Sequence, residues 1–468
     1  MSKIGRTMSW PGIIRLGLVQ AALGAIVVLT TSTINRVMVV ELGLLAILPG
    51  FLVGLHYAIQ ISRPRMGYGA DAGRRCTPWI IGGMAVLALG GVLAALSVAL
   101  MAQYLVPGIM LSVLAFIMIG LGVGASGTTL LTLMAKQVAP ARRAGAATLV
   151  WVMMIMGFIL TATIAGAYLE PFSLLRLIIV TSIVSGLAFG LAVLAIMGLE
   201  KTPDHEAMTA AEHSPNQTGA QTEFRTALIE IWGEPKARLF TLFVFLSMLA
   251  YSAQDLILEP FAGMIFGYSP GQSTQLAGLQ HSGVLLGMAL VGVAGSFAVI
   301  RRWLPTSVFM MAGCVLSALA LLGLVMAAMI GPDWPLVPTV FFLGFANGLF
   351  AVAAIGTMMA LASEGRAERE GTRMGLWGAA QAIAFGLGGF IGTAGVDLMR
   401  FFFADPALSY AVVFAAEAFL FLLAAGLALR VKAMMAAKGA KESVSRSMPA
   451  MPAKAPSVPL FSMEGSQP

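Results

Sequence analysis

Apolar residues in this chain run in long unbroken stretches separated by short polar clusters. From Cys76 to Ala135 there is no Asp, Glu, Lys, Arg or His. A helix needs about 20 apolar residues to cross the hydrocarbon core of a bilayer. That stretch therefore holds two spans, broken near Gln103–Pro107. The same ruler predicts helices at 13–38, 43–62, 78–102, 107–133, 146–168 and 174–199. A second set follows at 239–258, 274–300, 304–330, 336–361, 375–398 and 408–429. The pattern is that of an all-α membrane protein with twelve transmembrane helices in two six-helix halves.

The polar stretches divide the chain further. An N-terminal half at 1–199 is followed by a cytoplasmic linker at 200–237, a C-terminal half at 238–430 and a tail at 431–468. Within the linker, Phe224, Leu228, Ile231 and Trp232 recur at helical spacing. They fit either a short helix on the membrane surface or a plain connection. The tail is rich in Ala, Ser, Lys and Pro, a composition that favours disorder.

Composition agrees with the spans: 59% of residues are hydrophobic, 10% are charged, and the mean hydropathy is +0.90. Ordinary soluble domains are about 25% charged, so soluble enzymes and secreted disulfide scaffolds are excluded. Cys76 and Cys314 have neither disulfide-framework nor metal spacing. The pI near 9.6 has a topological explanation. With the N-terminus inside, only Arg36, Arg176 and Arg400 of the 28 Lys and Arg fall on the outer side. That is the positive-inside asymmetry, with both termini cytoplasmic, and it needs no nucleic-acid partner.

The halves resemble each other. Arg143-Ala144-Gly145 matches Arg373-Met374-Gly375, with Trp151 and Trp377 following. Asn35-Arg36 with Glu41 echoes Gln254-Asp255 with Glu259. Two parallel six-helix repeats are the major facilitator arrangement, related by a pseudo-twofold axis. The loop after the second span supports it. Gly67, Asp71, Gly73, Arg74 and Arg75 resemble that superfamily's G-x-x-x-D-R-x-G-R-R signature. The loop lacks the Arg after Asp71 and is one residue short before Gly73.

Ionisable groups inside spans are costly and therefore informative. They are Arg36, Glu41, His56, Asp255, Glu259, His281, Asp397 and Glu417. Arg36, Glu41, Asp255 and Glu259 mark the outer ends of the first and seventh spans. They form either a gate or polar-ligand site, or a structural clasp between the halves. Arg36 is expected to bridge to Asp255 or Glu259, with Glu41 as a local competitor. His56 shares a helix face with Gln60, and His281 stands beside Gln280. A neutral imidazole can ligate the magnesium of a chlorin ring, or simply hydrogen-bond a neighbouring carbonyl.

Gly122, Gly124 and Gly127 spell G-x-G-x-x-G inside an apolar span with no preceding strand, so they read as helix packing. The aspartates (Asp71, Asp204, Asp255, Asp333, Asp397, Asp405) are scattered. A membrane prenyl transferase needs clustered aspartates to hold magnesium and pyrophosphate. No metal set, catalytic triad or intrinsic cofactor site emerges, and the sequence does not read as an enzyme.

Five strings carry a resemblance to one family. They are Thr33-Ile-Asn35-Arg36-Val-Met-Val-Val-Glu41, Arg63-Pro-Arg65-Met-Gly67-Tyr, Arg74-Arg75-Cys-Thr-Pro78-Trp79, Gln254-Asp255-Leu-Ile-Leu-Glu259-Pro260 and Glu370-Gly371-Thr372-Arg373-Met-Gly375-Leu-Trp377. Together they are similar to the PucC family, the bacteriochlorophyll-delivery branch of the major facilitator superfamily in phototrophic bacteria. Phe261-Ala262-Gly263 departs from that pattern, where an aromatic tends to precede two glycines. The resemblance implies a factor for light-harvesting complex assembly in the photosynthetic intracytoplasmic membrane. Its partners would be bacteriochlorophyll or a precursor, antenna polypeptides and the lipid bilayer. It includes a subgroup historically named a bacteriochlorophyll synthase chain, so a non-catalytic biosynthetic subunit is one alternative. A proton-coupled small-molecule exporter, in which Asp255 or Glu259 titrates, is another.

Overall fold

The structure, a computed structural model, describes residues 8–62, 75–139, 142–200, 232–296, 305–363 and 370–447. Among them every regular element is helical, and twelve rods emerge. The first half contains α1 (Trp10–Glu41), α2 (Ile47–Ser62), α3 (Thr77–Met101), α4 (Leu105–Gln137), α5 (Arg143–Tyr168) and α6 (Leu174–Ile196). The second contains α7 (Pro235–Phe266), α8 (Pro270–Ser296), α9 (Thr306–Ile330), α10 (Leu336–Ser363), α11 (Glu370–Phe402) and α12 (Pro406–Ser447). Eleven of them are long and apolar enough to cross a membrane.

Helix α2 is the exception. The apolar run suggests a start near 43, but Gly43 takes φ 65 and the helix begins only at Ile47. A rise of about 1.5 Å per residue makes it shorter than the ~30 Å hydrocarbon core. Helix α7 departs the other way. Its run was expected to stop at 258, before Pro260, yet the rod continues to Phe266 and ends on Gly267 at φ 68, a left-handed cap. Proline is tolerated within a membrane helix when a neighbour satisfies the backbone it frees, and α1 supplies that neighbour. Helix α12 also outruns its expected boundary: residues 431–447, assigned to the tail, continue the rod. This stretch is rich in Ala, Lys and Met, good helix formers, and the first tail proline is Pro449. Residues 448–468 lie outside the described residues. So do Phe224, Leu228 and Ile231 of the linker, and Gly67, Asp71, Gly73 and Arg74 of the loop signature.

Each half has its own apolar core, one running from Met8 to Leu199 and the other from Phe240 to Val431. Among the described residues, Leu256 of α7 is the one buried residue of the second half that packs into the first core. Close approach of helix backbones builds these cores. A Cβ on Gly122 would lie 2.6 Å from the Leu87 amide nitrogen and 2.7 Å from the Gly83 carbonyl, so the α3–α4 crossing requires glycine. That is the small-residue packing used where lipid gives no hydrophobic drive between helices, and it accounts for the Gly122 motif.

The halves meet where α5 lies along α8 and α2 along α11. Gly166 faces Gly271 across the first seam, and Gly50 faces Thr393 across the second. Both meeting points lie toward the cation-poor end of the bundle, the end that carries Arg36, Arg176 and Arg400.

Candidate functional site

Helix α1 changes pitch as it nears the cation-poor end. Leu29–Thr33 and Val37–Glu41 are π-helical, flanking a short α turn at Ile34–Arg36. Thr30 and Thr31 donate their hydroxyls back to the Val27 carbonyl, each at 2.9 Å, just before the first π segment. The wider turns rotate Thr33, Asn35 and Arg36 toward the second half. Thr33 meets Thr274 of α8 at 2.9 Å, and the Asn35 amide donates to the Leu256 carbonyl at 2.6 Å. Leu256 lies four residues before Pro260, so its carbonyl is the one that Pro260 has no N–H to reach.

Arg36 is buried, at 2% exposure. Its Nη1 donates to Glu41 Oε1 at 2.5 Å and its Nη2 to the Tyr268 carbonyl at 2.5 Å. The expected bridge to Asp255 or Glu259 is not formed. In an α-helix, residues five apart point about 140° away from each other, whereas the π turn aligns i with i+5. The local competitor therefore holds the guanidinium. Gly263 lies against Arg36, where a Cβ would stand 2.9 Å from Nη2. Glu259, 2% exposed, accepts from the Ser32 hydroxyl of α1 and, at 3.1 Å, from the Ser273 hydroxyl of α8. Asp255 accepts from Gln280 Nε2 at 3.5 Å. Arg36, Glu41 and Glu259 lie near the outer end of the seam, but Asp255 sits eleven residues in from the end of α7, deeper than expected, and the four make separate contacts rather than one network.

Two carboxylates act as helix caps that the sequence did not single out in that role. Asp397 of α11 accepts the Ile47 N–H at 2.7 Å, capping the start of α2 from the opposite half. Glu200, just beyond α6, accepts from the Cys76 and Thr77 amides at 2.7 and 2.8 Å and so caps α3. Burial opposes the charged form of Glu200. The Cys76 and Thr77 hydrogen bonds and the Arg75 charge outweigh it and hold the carboxyl below its usual value. No sequence pattern exposes such a cap, because donor and acceptor lie more than a hundred residues apart.

The two imidazoles differ. His56 is 1% exposed, and its Nε2 lies 2.8 Å from the Gln60 amide nitrogen, so this ring atom is already engaged. A macrocycle has no approach to it. His281 is partly exposed on α8, next to the α5 seam. Its Nδ1 is 2.8 Å from the Ala277 carbonyl, which can only accept, so Nδ1 carries the proton and Nε2 keeps its lone pair. Phe158 of α5 holds the ring edge-to-face, with centroids 4.9 Å apart. Gln280 turns the other way, into the protein toward Asp255. Among the described residues, no group of three His, Cys, Asp or Glu side chains could hold a metal ion.

Comparison with known proteins places this architecture. Solved structures with similar folds include a proton-dependent oligopeptide transporter, at TM-score 0.66 and 15% identity over 90% of this chain and 98% of that one. A bacterial homologue of the lysosomal transporter Spinster gives TM-score 0.62 at 15% identity, over 92% and 96%. The fold is that of major facilitator transporters. Among relatives by sequence, the "Bacteriochlorophyll synthase 44.5 kDa chain" of Rhodobacter capsulatus is 50% identical over 93% of this chain and 97% of its own. "Protein PucC" of Cereibacter sphaeroides is 30% identical over 88% and 90%. The PUCC protein family model matches residues 33–436, a region that opens at the π-helical stretch of α1 and closes within α12. A facilitator fold whose seam motifs lie inside that match identifies the chain as a member of the PucC family.

Proposed function

We propose that this chain handles bacteriochlorophyll or a precursor within the photosynthetic membrane and serves the assembly of light-harvesting antenna polypeptides. It lies in the bilayer with its cation-rich end cytoplasmic, as the charge asymmetry favours. The observation that carries the reading is His281. Its Nδ1–H is tied to a helix carbonyl, so the tautomer is set and Nε2 is free to donate to a metal. The magnesium of a chlorin already has four ring nitrogens and needs one such axial donor. The pigment is cargo, and the scattered aspartates support no synthase chemistry. The 50% relative's printed name, with the family match, supports bacteriochlorophyll as the pigment.

The test is purification from a pigment-making host, followed by an absorption spectrum. Wild type and His56→Phe should carry pigment, and His281→Phe should come out depleted while still folded. Pigment retained in full by His281→Phe would remove the ligand role. A colourless wild type would favour the second reading, a proton-coupled exporter, which Asp255 at the seam beside Gln280 supports.

A further inference from the structure

Glu417 has no part in the seam contacts or in the pigment reading. It stands eleven residues into α12 from Pro406, and Asp255 stands eleven residues from the end of α7 at Phe266. At about 1.5 Å per residue both lie roughly 16 Å deep, near the middle of the hydrocarbon core. Glu417 is 3% exposed, and neither carboxylate oxygen has a hydrogen-bond partner. Gln254 of α7 is fully buried with both amide atoms unpartnered. Asn347 of α10, also buried, accepts from Ser317 of α9 at 2.8 Å and leaves its Nδ2 unpartnered.

Aromatic rings pack on both sides of Glu417 along α12. Tyr251, Phe350 and Phe421 are linked by centroid distances of 6.4 and 5.6 Å. Each lies one helical turn from Gln254, Asn347 or Glu417, on the cation-rich side. Toward the cation-poor side, Phe261 packs on Phe414 at 5.1 Å and on Tyr410 at 5.4 Å. Phe261 is two turns beyond Gln254 on the same face, and Phe414 is one turn from Glu417. Glu417 thus stands between the Phe414 and Phe421 rings of its own helix, each packed on a ring of a neighbouring helix.

An ionised carboxylate without a cation or a donor is strongly disfavoured in such a place. Among the described residues no basic side chain pairs with it. Arg36 is held by Glu41 and the Tyr268 carbonyl, and Arg400 of α11 lies over the Tyr410 ring near the helix end. Helix α7 brings Asp255 and Tyr251 toward Glu417, α9 brings only Cys314, and α10 has no ionisable residue. Helix α11 contributes Asp397, which is occupied by the α2 cap. Asp255 is partly exposed at the seam and within electrostatic reach of Glu417.

We propose that Glu417 is a proton-binding site near the membrane midplane, held as the neutral acid in an apolar, cation-free surrounding, with Asp255 linking it to water. Uptake adds one proton to the carboxylate, and release returns it by way of the seam. The site is independent of the pigment reading. The test is the infrared spectrum of the purified full chain in H2O and D2O, compared with Glu417→Gln, whose side chain imitates the neutral acid. Wild type should show a carboxylic-acid C=O band that shifts in D2O and is lost in Glu417→Gln, with melting temperatures matching. Gln254→Leu, which leaves the Glu417 carboxyl in place, should keep the band. An unchanged band in Glu417→Gln, or no band in wild type, overturns the proposal. Stabilisation by sodium but not choline chloride, lost in Glu417→Gln and with no acid band, overturns it in favour of a sodium site.

Discussion

The side chain of Asn35 in α1 occupies the carbonyl of Leu256 in α7, at 2.6 Å. It replaces the backbone N–H that Pro260 lacks. Cross-half docking and the continuity of α7 through a proline are therefore one interaction. Asn35→Leu should cost about 1–2 kcal/mol, because it leaves a buried carbonyl without a donor. Pro260→Ala restores an N–H to that carbonyl, so Asn35→Leu should cost less in the Pro260→Ala background than in wild type. Melting curves of the four variants in detergent would check this, and additive losses would show the two residues to be uncoupled.

Arg36 is coupled to Glu41, not to Asp255. The Arg36–Glu41 ion pair joins a guanidinium at 2% exposure to a carboxylate at 33%. A hydrogen bond between charged groups of this kind is worth about 2 kcal/mol. Arg36→Ala and Glu41→Ala should be non-additive by that order, while Arg36→Ala and Asp255→Ala should add. A cycle with the reverse pattern would restore the direct cross-half bridge.

The His56–Gln60 pair is structural. Gln60→Leu leaves a buried imidazole nitrogen without its partner and should cost about 1–3 kcal/mol of stability. Pigment recovered per folded protein should be unchanged. A lower pigment-to-folded-protein ratio in Gln60→Leu, but not in His281→Phe, would move the ligand to α2.

Glu200 links stability to pH at the cation-rich end. Its folded carboxyl lies below the ordinary value, so the unfolded chain binds the proton more readily. The stability it contributes is complete above the unfolded value, near 4.5, and disappears as pH falls through the lowered folded one. Glu200→Gln should therefore melt below wild type at neutral pH, and the two curves should converge in acid. A gap that persists in acid would show that the charge is not what caps α3.

Hydropathy alone determined the apolar helices, apart from the bounds of α2, α7 and α12, and the positions of Lys and Arg determined the charge asymmetry. In lipid each helix must satisfy its own backbone, so a span is a local property that one window of sequence reveals. The duplicated motifs and the five family strings were legible for the same reason, being short and contiguous. What only the tertiary structure decided is which groups meet. The π turns of α1 set Arg36 on Glu41, Asp397 reached across 350 positions to cap Ile47, and Glu200 reached back to α3. The two histidines looked alike as letters. The Gln60 side chain engages His56 Nε2, whereas the Ala277 carbonyl takes His281 Nδ1 and leaves its Nε2 with a lone pair, because hydrogen-bond partners are assigned by local geometry that is not written in a hydrophobic pattern.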